Sequence, residues 1–163
     1  MATNRLIVRS QDCKFYFNPN LTTEITAMRS DTNKMSLLSG VTVNYNWTDQ
    51  SFQFVGDGFV RHFRTTQDFT LNGNVVWDMS NDVFKTLLKA GTSFADAANI
   101  ECGKILLDVF SGNVLQYSIF GDAQITINTM SLEGGNIAQG ELVAQNPNTG
   151  TPMSVIYPTS PAP

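Results

Sequence analysis

The segment Val41-Thr42-Val43-Asn44-Tyr45-Asn46-Trp47 alternates apolar and polar residues without a break. A period of two belongs to a β-strand with one face packed and one face wet. Ala123-Gln124-Ile125-Thr126-Ile127-Asn128 repeats the pattern near the other end of the chain. Val114–Phe120 places Leu115, Tyr117 and Ile119 on one side, and Ile137–Val143 follows a glycine turn as a further strand. A chain dominated by this period is constrained to an all-β fold in which paired strands enclose a core.

Turn residues set the connections. Asn72-Gly73 lies between Phe69-Thr70-Leu71 and Val75-Val76-Trp77 and predicts a tight hairpin. Gly56-Asp57-Gly58, Ser111-Gly112-Asn113 and Glu133-Gly134-Gly135-Asn136 predict three more reversals. Strands at this spacing fit an antiparallel sandwich or barrel.

One segment changes period. Ser80–Gly91 places Val83, Phe84, Leu87 and Leu88 on one helical face, with Asp82 near its start and Lys85 and Lys89 toward its end. Ser80 is the expected N-cap and Gly91 the expected stop. Two segments resist a strand assignment. Asn18–Gly40 is long and polar, with Leu21, Ile25, Met28, Met35, Leu37 and Leu38 scattered through it. It is expected as an extended arm that folds back as a short hairpin. Asn146–Pro163 carries five prolines, yet Met153–Tyr157 is apolar enough to dock. Disordered tail and docking arm both fit it. The expected organisation is one β-sandwich domain over 1–145, with a loop over 18–40, a helix over 80–90, and an arm over 146–163.

At 163 residues the chain is long enough for one sizeable core without disulfide or metal staples. Only 15% of residues are charged, against about 25% in an average domain. Asn, Thr, Ser, Gln and Gly make up the difference, a surface suited to repeated protein contact. The net charge of −4 argues against gripping nucleic acid through its phosphates. All of that deficit lies after Lys104, a stretch that holds Asp108, Asp122, Glu133 and Glu141 and no Lys or Arg. No run approaches the ~20 apolar residues of a membrane span. The first residues, Met1-Ala2-Thr3-Asn4-Arg5, lack the apolar core of a signal peptide.

Catalytic and cofactor chemistry find little support. His62 is the single histidine and reads as structural. Cys13, Cys102 and His62 include no close-spaced pair for a metal, and the two cysteines read as buried thiols. Phosphate-loop, dinucleotide and serine-elbow motifs are missing, and no cofactor is expected. Phe52, Phe54, Phe59 and Phe63, with Arg61 and Arg64 interleaved, suggest either a stacking platform for nucleic acid or core aromatics on alternate positions. The second reading is preferred.

The stretch from Gly91 to Pro147 carries a resemblance. Gly91-Thr92-Ser93 is followed by the strand Ile105–Phe110 and a Tyr/Phe-bearing strand. That strand runs into Gly121-Asp122-Ala123-Gln124-Ile125-Thr126-Ile127, and Ile137–Leu142 closes the run. It resembles the C-terminal half of the tail tube proteins, or major tail proteins, of long-tailed bacteriophages. The resemblance implies a β-sandwich with a flanking helix, a fold shared with the type VI secretion tube protein. It implies a non-enzymatic virion subunit, assembled in the host cytoplasm, that forms stacked hexameric rings around a channel for genome DNA. Its partners would be copies of itself and other tail proteins, namely tape measure, terminator, baseplate or tip, with no membrane.

Carried onto this chain, the resemblance makes 18–40 an inter-ring loop and 146–163 an arm. Leu21, Ile25, Met28, Met35, Leu37, Val155, Ile156 and Tyr157 become candidate inter-ring contacts. Thr42, Asn44, Asn46, Asp122, Gln124, Thr126 and Asn128 become candidate lumen-facing residues. Family lumens tend to be negative, whereas these positions are mostly uncharged. Two other readings of the same pattern are a capsid decoration or cement protein and a small sugar- or peptide-binding β-sandwich module.

Overall fold

A computed structural model describes residues 13–35, 37–53, 55–56, 58–92, 103–131, 139–147 and 150–159. The side chains at 37–40, 64–67, 90–92 and 128–131 lie outside that description. So do Cys102, Phe54 and the turn expected at Glu133–Asn136.

The expected all-β architecture is present. Its strands are β1 (Cys13–Asn18), β2 (Lys34–Met35), β3 (Leu37–Phe52), β4 (Arg61–Val76), β5 (Gly103–Ser111), β6 (Val114–Ser131), β7 (Gln139–Gln145) and β8 (Ser154–Ile156). Among the described residues two α-helices, α1 (Ile25–Met28) and α2 (Asp82–Thr92), and a 3-10 turn at Asp31–Asn33 interrupt them. All pairings are antiparallel. The strand order is β2-β1-β5-β6-β7-β4-β3, with β8 added to β6.

Strand β6 joins the two halves. Residues 114–123 pair with β5, and residues 124–131 pair with β7. The two alternating segments read separately from the sequence, Val114–Phe120 and Ala123–Asn128, are one strand. It runs straight through Gly121, a point of close approach. A Cβ at Gly121 would lie 2.6 Å from the Cα of Met153.

A second correction concerns Asn72-Gly73. These residues sit in the middle of β4, where Asn72 pairs with Thr42 on one side and Val143 on the other. Phe69, Leu71, Gly73 and Val75 are all buried on one face. The alternation therefore passes through the glycine, and ladders on both sides outweigh its local turn preference. The reversal lies at 53–60, where Gly56 has φ +91°. The turn expected at Ser111-Gly112-Asn113 is present, with Gly112 at φ +61°.

One core joins the two halves. Phe15 and Phe17 of β1, Ile105 and Leu107 of β5, Phe69 and Leu71 of β4, and Leu142 of β7 meet there. Helix α2 adds Val83, Phe84 and Leu87, as its spacing predicts. Its N-cap is Asn81 and not Ser80. The Asn81 Oδ1 accepts the Phe84 N–H at 3.0 Å, whereas Ser80 donates to Asp78. Strand β5 is buried on both faces from Gly103 to Val109. On its second face Leu106 packs under Tyr16 and Met28, with Ile25 and Phe120 alongside.

Candidate assembly surfaces

The expected arm over 18–40 is folded against the body. Asn18 donates its side-chain amide to Asn33 at 3.1 Å, closing the excursion at its base. Arg29, within the excursion, then anchors it to the body. Its Nε and Nη2 donate to the Asp108 carboxylate at 2.8 and 3.1 Å, and the Ser118 hydroxyl donates to the same group at 2.6 Å. Asp108 is 1% exposed, so its charge is held by these three bonds. The carboxylate in turn holds the Arg29 guanidinium above its ordinary pKa. Burial first, and then the Asp108 charge, raises the Tyr16 phenol.

This folding narrows the candidate contacts. Met28 and Met35 are buried in the subunit and are unavailable to a neighbour, which corrects their expected role. Ile25 is half-buried against Tyr16 and Met28, and Leu21 is exposed. The Leu37 side chain lies outside the description.

The C-terminal arm also docks on its own chain. Val155 pairs with Ile119 in the β8–β6 ladder. A clasp fixes the approach to β8. Asp122 lies 2.6 Å from the Lys104 Nζ, accepts the Thr151 N–H at 2.7 Å, and donates its own N–H to the Thr151 carbonyl at 2.9 Å. Gly150 reaches this point at φ +129°, where a Cβ would meet the Asp122 carboxylate at 2.6 Å. Asp122 is therefore buried and paired, which overturns its placement on the wet face. Val155, Ile156 and Tyr157 remain exposed on the docked arm.

The other candidate lumen residues fall together. The register matches Thr42 with Asn72, Asn44 with Thr70, and Asn46 with Asp68. It then matches Thr70 and Asn72 with Gln145 and Val143, and those with Gln124 and Thr126. Cross-strand partners share a face, so these residues line one side of a four-stranded layer, β3-β4-β7-β6. Asn128 falls in the register shift between Ile127 and Thr129, so the alternation breaks there and Thr129 takes the place opposite Glu141; the Asn128 side chain lies outside the description. Two exposed acids on this face, Asp68 and Glu141, escaped the sequence reading. Only the register brings them beside the Asn and Thr positions. Among the described side chains opposed in these ladders from Thr42 to Thr48, none is basic. Val143 is the apolar exception.

This layer has open sides. Among the described residues, β3 pairs only with β4, and β6 from Gln124 onward pairs only with β7. Beyond Phe69, β4 leaves β7, and the β3–β4 hairpin continues as two strands. A bulge between Thr48 and Asp49 brings Phe52 and Phe63 together, with ring centroids 6.0 Å apart. These rings are exposed, as are Val55, Phe59 and Val60, so the core reading of this aromatic cluster is corrected. The exposed His62 pairs its Nδ1 with the Ser51 hydroxyl at 3.0 Å.

Comparison with solved structures then shows how widely the fold is shared. Three matches span nearly all of both chains. The first is from an extracellular contractile injection system, a PVC sheath–tube complex in the extended state. Its TM-score is 0.62 at 8% identity, covering 94% of each chain. The second is from the anti-feeding prophage (AFP) baseplate, 6-fold symmetrised, with a TM-score of 0.57 at 6% identity. It covers 96% of this chain and 98% of the other. The third is from the anti-feeding prophage cap, the AFP tube-terminating cap, with a TM-score of 0.61 at 8% identity. It covers 97% and 96%. No family model matches the chain, and no curated protein sequence does. The chain thus shares its fold with components of the PVC and AFP assemblies.

A cleft of about 310 Å³ opens where β3, β6 and β8 meet. Val43 and Tyr45 line one wall, Tyr117 and Ile119 a second, and Val155 and Tyr157 a third. Tyr117 and Tyr157 stand with ring centroids 6.5 Å apart, and Tyr45 packs edge-on to Phe69 at 5.2 Å. Burial raises the Tyr45 phenol, reinforced by the neighbouring Tyr117 and Tyr157.

Proposed function

We propose that this chain is a structural, non-enzymatic tube subunit of a tail-like particle. Copies assemble into stacked six-membered rings, with the polar face of β3-β4-β7-β6 turned toward a central channel. The observation that carries this reading is that face: four adjoining strands, Asn, Thr and Gln along them, two acids, and, among the described residues, no further strand paired outside β3 or outside β6 from Gln124 onward. Open edges are a liability in a free monomer and a joint in a ring. The near-complete overlap with components of contractile systems supports the same reading, and one of those structures is described as 6-fold symmetrised.

Charge supports a channel for genome DNA. Each phosphate gripped by Lys or Arg adds affinity through counterion release, so clustered bases would stall transit. Thr42, Asn44, Asn46, Gln124 and Thr126 offer hydration without a counter-charge, and Asp68 and Glu141 add mild repulsion. Leu21, Ile25, Leu37 and the arm residues Val155, Ile156 and Tyr157 are the proposed contacts between rings. The particle is a virion tail, assembled in the host cytoplasm, whose other proteins cap, measure and terminate the tube.

Electron microscopy of the purified protein at rising concentration tests this. Hollow tubes or stacked rings are the expected result. Within such a tube, a cysteine placed at Gln124 should react with small maleimides and be shielded from bulky ones. A monomer at every concentration, or a channel lined by several bases per subunit, overturns the reading.

A further inference from the structure

The molecule carries two exposed apolar surfaces at separate places on one strand. One is the tip of the β3–β4 hairpin, where Phe52, Val55, Phe59, Val60 and Phe63 face solvent; Phe59 is 80% exposed. Apolar residues clustered this densely mark a contact site, unlike single exposed ones. Among the described residues the two-stranded extension that bears them pairs with no third strand, and such a hairpin is marginal in water without a partner. The other surface is the cleft of Tyr45, Tyr117, Tyr157, Val43, Ile119 and Val155. Its walls are apolar, and tyrosine hydroxyls can accept or donate a hydrogen bond at the rim.

Seven steps of extended strand separate Tyr45 from Phe52, about 23 Å at roughly 3.3 Å per residue. The rigid ladder between them prevents the tip from reaching its own cleft. We propose that the hairpin tip of one copy inserts into the tyrosine-lined cleft of a second copy. The occupant is a second copy because the chain itself supplies both halves of the contact: a projecting aromatic knob and an apolar hole. Such a contact is heterologous, since each copy offers a tip at one end and a cleft at the other. Contacts of that kind propagate into rings or stacks. The inference rests on the self-assembly proposed above and names the surfaces that carry it.

Two variants test it. Phe59→Asp with Val60→Asp blocks the tip, and Val155→Asp with Tyr157→Asp blocks the cleft. All four positions are exposed, and circular dichroism should show both variants folded as the wild type. At a concentration where the wild type forms extended assemblies, sedimentation velocity should show each variant stalled at a smaller species. An equal mixture should yield a species of twice that mass, because one intact tip then meets one intact cleft. Variants that assemble like the wild type, a mixture that adds no larger species, or assembly of the cleft variant alone would each overturn the proposal while leaving the tube reading standing. A wild type that stays monomeric throughout overturns both.

Discussion

Two ends of the same sheet system are built on opposite terms. Around β5, both faces are covered: one by the main core, the other by α1, Tyr16 and Phe120, and the arm crosses the adjoining β6. The charges buried there, Asp108 and the Lys104–Asp122 pair, are all matched within the chain. At the far end, the β3–β4 hairpin runs on as two strands with its rings in solvent. One region has its contacts closed within the subunit, and the other leaves them open. Stability is therefore expected to concentrate in the first, and association in the second.

The largest break in this contrast is Asp108→Ala. It removes the acceptor for Arg29 and Ser118 and frees the excursion that carries α1. Arg29 stays partly exposed, but the charge-assisted hydrogen bonds to Arg29 and Ser118, each worth about 1.5–3 kcal/mol, are lost. Urea denaturation should register that loss, whereas the exposed tip variant Phe59→Ser should stay within about 0.5 kcal/mol of the wild type. Equal losses at the two sites would erase the distinction.

Next comes Asp122→Asn. The amide can still accept the Thr151 N–H, but Lys104 is left without a counter-charge. A loss of about 1–3 kcal/mol is expected, the range for a disrupted buried polar group. The more telling readout is local. Amide exchange should rise at Ser154–Ile156 and at Ser118–Phe120, where β8 pairs, while the β5 amides paired to β1 remain protected. A uniform rise would mean that the arm belongs to the core and is not a clasped addition to it.

A smaller effect belongs to Asn81→Ala. Losing the side-chain acceptor for the Phe84 N–H should lower stability by about 1 kcal/mol, the usual size for an N-cap. Ser80→Ala should do less, because Ser80 bonds Asp78 and not the helix. A larger loss at Ser80 than at Asn81 would show that the helix start has been misplaced.

Periodicity made the strands legible and left their partners hidden. Val41–Trp47 could be read as half-wet from its own residues, and that pattern is local. Asp122 could not, because its burial depends on Lys104, 18 residues earlier, and on Thr151, 29 residues later. Asn72-Gly73 misled for the same reason. Its turn preference is local, while Thr42 and Val143, which hold it straight, are distant. Asp68 and Glu141 joined the wet face only through register, which no single strand encodes. Exposure at the hairpin tip was hidden too, since alternating Phe residues look alike whether a second layer covers them or not.

The smallest expected effect is a titration that again separates the regions. Tyr45 lines the cleft at the boundary between the closed body and the open hairpin. Its phenol is raised above the ordinary value near 10, chiefly by burial. A group with a raised folded pKa favours the folded state through its protonated form. That contribution is complete below the unfolded value and is lost as pH rises through the folded one. Stability should therefore be flat with respect to this residue at neutral pH and fall above about pH 10. Tyr45→Phe, which has no proton to lose, should flatten part of that fall. Absorbance of phenolate followed against pH should show a late-titrating class that the substitution reduces by one. Tyr16, raised by burial and by the Asp108 charge, should persist in that class. If occupation of the cleft by a second copy deepens the burial of Tyr45, its titration should move further upward in the assembled protein than in the monomer, while Tyr16, enclosed within its own subunit, should not move.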